Sequence, residues 1–253
     1  MNYDLKLKMF RHEFIKKYLK GKRVLDMGFV GGACEHGGFP RYHKLVLNEA
    51  SFVCGVDIQK EGIIKFSKMS NPNKSHYIHD DALNFKKVKD YVSKTSKFDV
   101  VIAGEIIEHL DNPGLFLDKL TSVLKDNGIC IITTPNYLCL RNIKSFIFTG
   151  IENPIYTQRD DVRLGHVVGF TNFLMTHLTL RKGLKIVDFA YVLKKTDKKF
   201  RFKIEKIIYK LFPHLSPTTV YIIKKGCPLE VLPVPLNINT YKHKTLKIKK
   251  NEK

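Results

Sequence analysis

The segment Gly104-Glu105-Ile106-Ile107-Glu108-His109 sets two carboxylates and an imidazole within five positions, directly behind the apolar run Phe98-Asp99-Val100-Val101-Ile102-Ala103. If Glu105 opens a helical turn, Glu108 and His109 stand three and four residues on and share its face. Three uses fit such a cluster. Carboxylate oxygens with one imidazole can hold a divalent cation. A carboxylate can instead orient His109 to take a proton, or the group can be architecture alone.

The elements that must carry these groups alternate short apolar runs with helical periods, the pattern of strands joined by crossover helices in a parallel sheet. A first helix is expected over residues 3–20, with Leu5, Met9, Phe14, Ile15 and Leu19 at helical spacing. Strands are expected at Arg23–Asp26, Phe52–Asp57, Ser75–Ile78, Phe98–Ala103 and Ile129–Thr133, and a helix over 59–69. Pro113 suits the first turn of a helix that Asp111 or Asn112 caps and Gly128 ends. Residues 136–169 are long for a loop and are expected to hold a helix near 138–148. A helix at 171–182 and strands at 184–192 and 218–223 bring the expected strands to seven. Between the last two strands, residues 198–211 read as a basic amphipathic helix, suited to an anionic membrane surface or to covering a sheet edge.

Three strand ends carry a second kind of chemistry. The first runs into Asp26-Met27-Gly28-Phe29-Val30-Gly31-Gly32, whose glycines allow a tight turn and close approach of a ligand. The second ends in Gly55-Val56-Asp57-Ile58, where an acid can accept both hydroxyls of a ribose. The third ends in Asp80-Asp81-Ala82, where a carboxylate can take the exocyclic amine of an adenine. Together they describe one adenosine pocket. A dinucleotide-binding fold would need GxGxxG leading into an uncrowded helix start, whereas Cys34, Glu35 and His36 follow at once.

The series VLDMGFVGG, GVDI, HDDA, FDVVIAGEIIEHL, a helix ending in LKDNG, and IITTPN resembles the class I S-adenosylmethionine-dependent methyltransferases over residues 21–223. The resemblance implies an α/β, Rossmann-like fold: a seven-stranded, mostly parallel sheet with helices on both faces and the last strand antiparallel. It implies that Asp26, Gly28 and Gly32 line the methionine end of S-adenosylmethionine, that Asp57 meets the ribose and Asp81 the adenine, and that Ile58 and Ala82 also belong to the cofactor site. Glu105 would then lie beside the transferable methyl group. Val30 stands where the family's DxGxGxG has its middle glycine. That variant, with TTPN, LRN and HVxxF, is similar to bacterial and archaeal methyltransferases of the glycan and cell-envelope type.

ExxEH followed by TPN and a later histidine is also similar to the small-RNA 2′-O-methyltransferases and the ubiquinone-pathway O-methyltransferases. In those families two glutamates and a histidine hold a divalent ion against the acceptor hydroxyl. The matching positions are Glu105, Glu108 and His109, with His166 as fourth ligand to Mg or Mn. EHxxxP also occurs in methyltransferases without a metal, which leaves His109 or His166 as a general base beside Glu108, or a structural role.

A sugar or ribose hydroxyl is a poor nucleophile near neutral pH, so a base or a metal should matter, and the cluster points to O-methylation. The expected acceptor is a small molecule or a glycan or cell-envelope intermediate, lipid-linked forms included. An RNA 2′-O-methyltransferase and a non-catalytic cofactor-binding module are the alternatives. The formal charge of +20 on 253 residues favours an anionic partner such as RNA or a membrane surface, yet no appended RNA-binding module or aromatic-interleaved basic stripe is visible. Residues 1–225 are expected to form the domain, with 137–169 a substrate-covering insertion, 195–217 an amphipathic helical insertion and 226–253 a basic tail. Scattered cysteines and the lack of a long apolar run predict a cytoplasmic protein, in peripheral contact with the membrane if helix 198–211 docks there. His36, His43, Asn136, Arg141 and Arg163 are further polar candidates near the substrate. His36 and His43 are expected to be solvated loop residues.

Overall fold

The computed structural model describes residues 7–8, 11–31, 40–151, 165–193, 205 and 207–226. Its first half runs β1 (Leu7–Lys8), α1 (Arg11–Ile15), β2 (Arg23–Met27), α2 (Arg41–Glu49), β3 (Phe52–Asp57), α3 (Lys60–Lys68), β4 (Ser75–His79) and α4 (Lys86–Lys94). The second half runs β5 (Phe98–Gly104), α5 (Pro113–Ser122), β6 (Leu124–Pro135), α6 (Leu140–Thr149), α7 (Asn172–Arg181), β7 (Leu184–Val192) and β8 (Thr218–Lys225). The strands form one sheet in the order β1-β7-β8-β6-β5-β2-β3-β4. Only β8 runs antiparallel to its neighbours β6 and β7.

Continuous apolar runs build this sheet because a central strand is covered on both faces. Along β2, Val24 faces one helical layer and Leu25 the other. Phe14, Ile15 and Val46 of α1 and α2 close the first face, and α3 joins them through Ile63 and Phe66. Val88, Phe116 and Met175 of α4, α5 and α7 close the second. The expected seven strands are all present, with helices on both faces.

The differences have physical causes. The expected helix over 3–20 is shorter: Leu7 and Lys8 pair in parallel with Tyr191 and Val192, satisfying backbone groups on the edge of β7. Helix α1 then covers Arg11–Ile15 and continues as a 3-10 turn over Lys16–Tyr18. LKDNG does not end a helix. α5 stops at Ser122, and buried Leu124 already pairs with Phe98, so Gly128 serves an irregular stretch of β6 where a Cβ would lie 3.0 Å from the Lys125 carbonyl oxygen. Of the amphipathic segment 198–211, residues 205 and 207–211 are helical and the others lie outside the described residues, as do Gly32, His36, Arg163 and the tail 227–253. No helix among the described residues is long and apolar enough to cross a membrane.

Helix α5 starts as its residue types dictate. Asn112 Oδ1 accepts the Leu115 N–H at 2.8 Å, and Pro113 follows in the first turn, where no N–H is needed. Asn112→Ala should therefore lower unfolding free energy by about 1 kcal/mol. Urea titration monitored by circular dichroism checks this, and an unchanged midpoint would show that the cap contributes nothing.

Candidate active site

The chain order reverses between β2 and β5, the switch at which an open α/β sheet leaves a crevice at its strand ends. Gly28 turns the backbone away from β2 with φ +66°, and a Cβ there would lie 2.7 Å from Ile106. Two bonds fasten the turn to β3: Gly28 N–H donates to the Val56 carbonyl, and Val30 N–H donates to Asp57 Oδ2, each at 2.9 Å. The valine in place of a glycine is accommodated because its side chain leaves the crevice. Val30 is fully buried with Ile63 and Phe66 under α3, where Gly62 makes room: a Cβ on Gly62 would sit 2.5 Å from Val30 Cγ1.

Asp26, the first acid of this motif, is buried beneath the turn. Its Oδ2 meets His43 Nδ1 at 2.7 Å, and His43 Nε2 meets the Tyr77 hydroxyl at 3.1 Å. An ionised carboxylate only accepts, so Nδ1 carries the hydrogen toward Asp26. The expectation of a solvated loop histidine is corrected here: His43 lies on α2, fully buried, because it hydrogen-bonds a buried acid.

The next two strand ends carry Asp57, Ile58, Asp81 and Ala82. Asp57 is buried; its Oδ1 accepts the Gln59 N–H at 2.9 Å, and burial raises its pKa while the N–H bonds act in the other direction. Ile58 is 61% exposed at the rim. Asp81 is exposed, and both of its backbone bonds, from Leu83 and Asn84, go to Oδ1. Ala82 packs against the core. Buried Asp80 instead accepts the Val88 N–H and so serves the start of α4.

At the end of β5, Glu105 has φ +54°, a left-handed conformation that costs a residue with a Cβ about 1–3 kcal/mol. Its N–H still reaches the Thr133 carbonyl at 2.8 Å. The kink sends its carboxylate to Arg11, with Oε1 3.5 Å from Nη1. Arg11 also donates to Thr133 Oγ1, and its guanidinium stacks 4.3 Å from the centre of the Tyr42 ring. The Tyr42 hydroxyl is buried without a hydrogen-bond partner. Nothing in the spacing of Arg11 or Tyr42 distinguishes them in the sequence, and both were missed there.

Beyond the kink a 3-10 turn, Ile107–His109, holds Glu108 at 1% exposure with neither carboxylate oxygen hydrogen-bonded. Burial pushes its pKa up to about 8, aided by the Glu105 charge and opposed by its own N–H, the Thr134 hydroxyl and Arg11. Ligand atoms of Glu108, His109 and His166 lie within 4.8 Å of one another. His109 Nδ1 is 3.0 Å from the Gly165 carbonyl, to which it donates, so Nε2 is left as the basic nitrogen. The segment bearing His166 is clipped to this turn, since Val167 N–H donates to the Glu108 carbonyl at 2.7 Å. Glu105 is not in the group. The left-handed backbone breaks the expected shared helical face, so three of the four anticipated metal-ligating residues converge and the fourth pairs with Arg11. Asn136 is also committed elsewhere: its amide donates to the His214 and Ser216 carbonyls at 2.7 and 2.8 Å. Arg141 is exposed on α6.

A family model described as a methyltransferase domain matches residues 19–157. The chain belongs to the methyltransferase-domain family. Setting aside the two-residue β1, its strands follow the class I order 3-2-1-4-5-7-6. The ubiquinone biosynthesis O-methyltransferase of Pelagibacter ubique is 29% identical over 144 residues, covering 56% of this chain and 52% of that protein. The protein of the same description from Rhodopseudomonas palustris is 32% identical over 130 residues, covering 51% and 44%. The chain thus spans about half the length of the curated relatives it matches. A solved S-adenosylmethionine-dependent methyltransferase from Archaeoglobus fulgidus shares the fold, with TM-score 0.51 and 20% identity over 85% of this chain and 91% of that one.

Within the methyltransferase domain, Glu108 sets a pH dependence of known sign. A folded-state pKa near 8, above the ordinary 4.5, means that its contribution to stability is full below pH 4.5 and is lost as pH rises through about 8. With a chelator present, the Tm of the wild type should fall over that interval more than that of Glu108→Gln, which stays neutral. Parallel Tm profiles against pH would contradict the buried, unpaired carboxylate.

Proposed function

We propose that this domain transfers a methyl group from S-adenosylmethionine to a hydroxyl oxygen of a small molecule. The observation that carries the reading is the unpartnered, buried Glu108 beside two imidazoles at the rim where β2 and β5 part. The name of the curated relatives, which describes O-methylation, supports the same acceptor atom. Glycan, cell-envelope and lipid-linked acceptors are the finer forms of this reading, and the excess of basic residues suits those that carry phosphate.

The residues present fit the cofactor. Asp57 retains lone pairs for ribose hydroxyls after accepting its two N–H bonds, Asp81 and Ala82 border the adenine, and exposed Ile58 offers apolar surface to its ring. Gly28 gives the methionine end close approach to the turn, which buried Asp26 supports from beneath through His43. Arg11 and Glu105, already opposed as a cation and an anion, suit the carboxylate and ammonium of that end. When bound, the sulfonium supplies the methyl group.

At the acceptor, His109 presents Nε2 as proton acceptor while the Gly165 carbonyl fixes its tautomer, and His166 lies across from it with ring centres 4.7 Å apart. A buried carboxylate with two imidazoles also fits a divalent cation, Mg or Mn, which would keep Glu108 ionised and polarise the hydroxyl. In either case the chain's contribution is to hold the acceptor in line and receive its proton, and holding alone can be worth effective molarities of about 10⁵–10⁸ M.

Two variants test the assignment. His109→Ala should lower turnover by about 10²–10⁴-fold with little change in calorimetric affinity for S-adenosylhomocysteine; equal losses in both would reduce His109 to pocket support. Arg11→Ala should weaken S-adenosylhomocysteine at least about tenfold, the scale of one lost charge-assisted bond, while leaving methylthioadenosine, which lacks the amino-acid end, unaffected. Equal weakening of both ligands would contradict the role given to Arg11.

A further inference from the structure

Where β6 and the segment before β8 meet the rim, large apolar side chains stand in the open. α6 buries none of its residues, and Phe146, Ile147 and Phe148 are 57%, 68% and 81% exposed. Ile151 just beyond the helix, and Leu211 and Phe212 before β8, are also exposed by half or more. The two segments share a root. Asn136, shortly before α6, binds the carbonyls of His214 and Ser216, shortly after Phe212. Both groups therefore lie where β6 ends and β8 begins, beside the β5 end that leads to Glu108.

Three successive helical positions sweep about 200° of a helix surface, more than one packed neighbour covers. A surrounding medium suits such an arc better than a groove. Residues 136–151 contain Arg141 and Lys144 and no acid, and residues 207–217 contain Lys210 and no acid. A second copy set face to face would bring Arg141, Lys144 and Lys210 against their own counterparts. RNA would engage the cations but leave the aliphatic side chains exposed. An anionic lipid surface satisfies both sets at once, with apolar side chains at the acyl boundary and Lys and Arg at the headgroups.

We infer that this rim docks on an anionic membrane surface through α6 and residues 211–212. The contact is peripheral, since no helix among the described residues could span a bilayer. It depends on exposure and charge alone, and stands apart from the chemistry assigned to Glu108 and His109.

The full chain should co-float with phosphatidylcholine vesicles containing phosphatidylglycerol and much less with phosphatidylcholine alone. The double variant Ile147→Ser/Phe148→Ser should bind the anionic vesicles at least about tenfold more weakly, from the apolar surface removed, while keeping its Tm and its affinity for S-adenosylhomocysteine. Arg141→Glu/Lys144→Glu should remove the preference for the anionic lipid. Absence of vesicle binding by the wild type, equal binding by the Ser variant, a concentration-dependent dimer that the Ser variant abolishes, or capture of polyuridylate in place of vesicles would each overturn the assignment.

Discussion

The parallel pairing of β2 with β5 on one side and β3 on the other is the constraint from which the site follows. Met27 is level with Ala103 and with Val56, so the chain leaves all three strands at the same height. Gly28, Asp57 and Glu105 then emerge side by side without any loop having to reach. β4 extends the row, with Asp57 opposite His79 and Asp81 two residues further on. Slipping any one of these strands by a residue would turn its core face to the wrong layer, so the same burial that stabilises the sheet fixes the positions of the functional groups.

Four acids near this rim are held in four ways, and the differences divide structure from chemistry. Asp26 is hydrogen-bonded by His43 and belongs to the support of the turn. Asp80 is consumed by the backbone N–H groups of Asp81 and of Val88 on α4. Asp57 fastens the glycine turn to β3 and still has acceptor capacity at the crevice. Glu108 is buried with neither carboxylate oxygen hydrogen-bonded. A lone buried carboxylate is unstable as an anion, and a protein retains one where a proton, a cation or a ligand completes it. Glu105 adds local backbone strain at the adjoining strand end, which is stored where the surrounding β5–β6 pairing can hold it.

Much of this was legible in the residues. Unbroken β-branched runs announced the central strands, Asn112-Pro113 and Thr171 announced helix starts, and acids and glycines after those runs announced the rim. What escaped had weak local signal. α4 buries Val88 and little else, and neither α4 nor α2 has a side-chain cap to mark its start. β1 exists through pairing with β7 and has no pattern of its own. LKDNG has the composition of a helix end, but the pairing of Leu124 with Phe98 overrides it. A glutamate gives no sign of a positive φ, and that single angle separated Glu105 from Glu108 and joined it to Arg11.

The most direct test of a single cofactor crevice at these strand ends is a crystal structure of the chain with S-adenosylhomocysteine. The ribose should lie on Asp57, the amino-acid end between Arg11 and Glu105, and the sulfur on the side of Glu108, His109 and His166. Ligand density elsewhere, such as the groove of about 390 Å³ lined by His76, His79, Lys87 and Tyr91 at the far edge of the sheet, with the Asp57 end vacant, would contradict it.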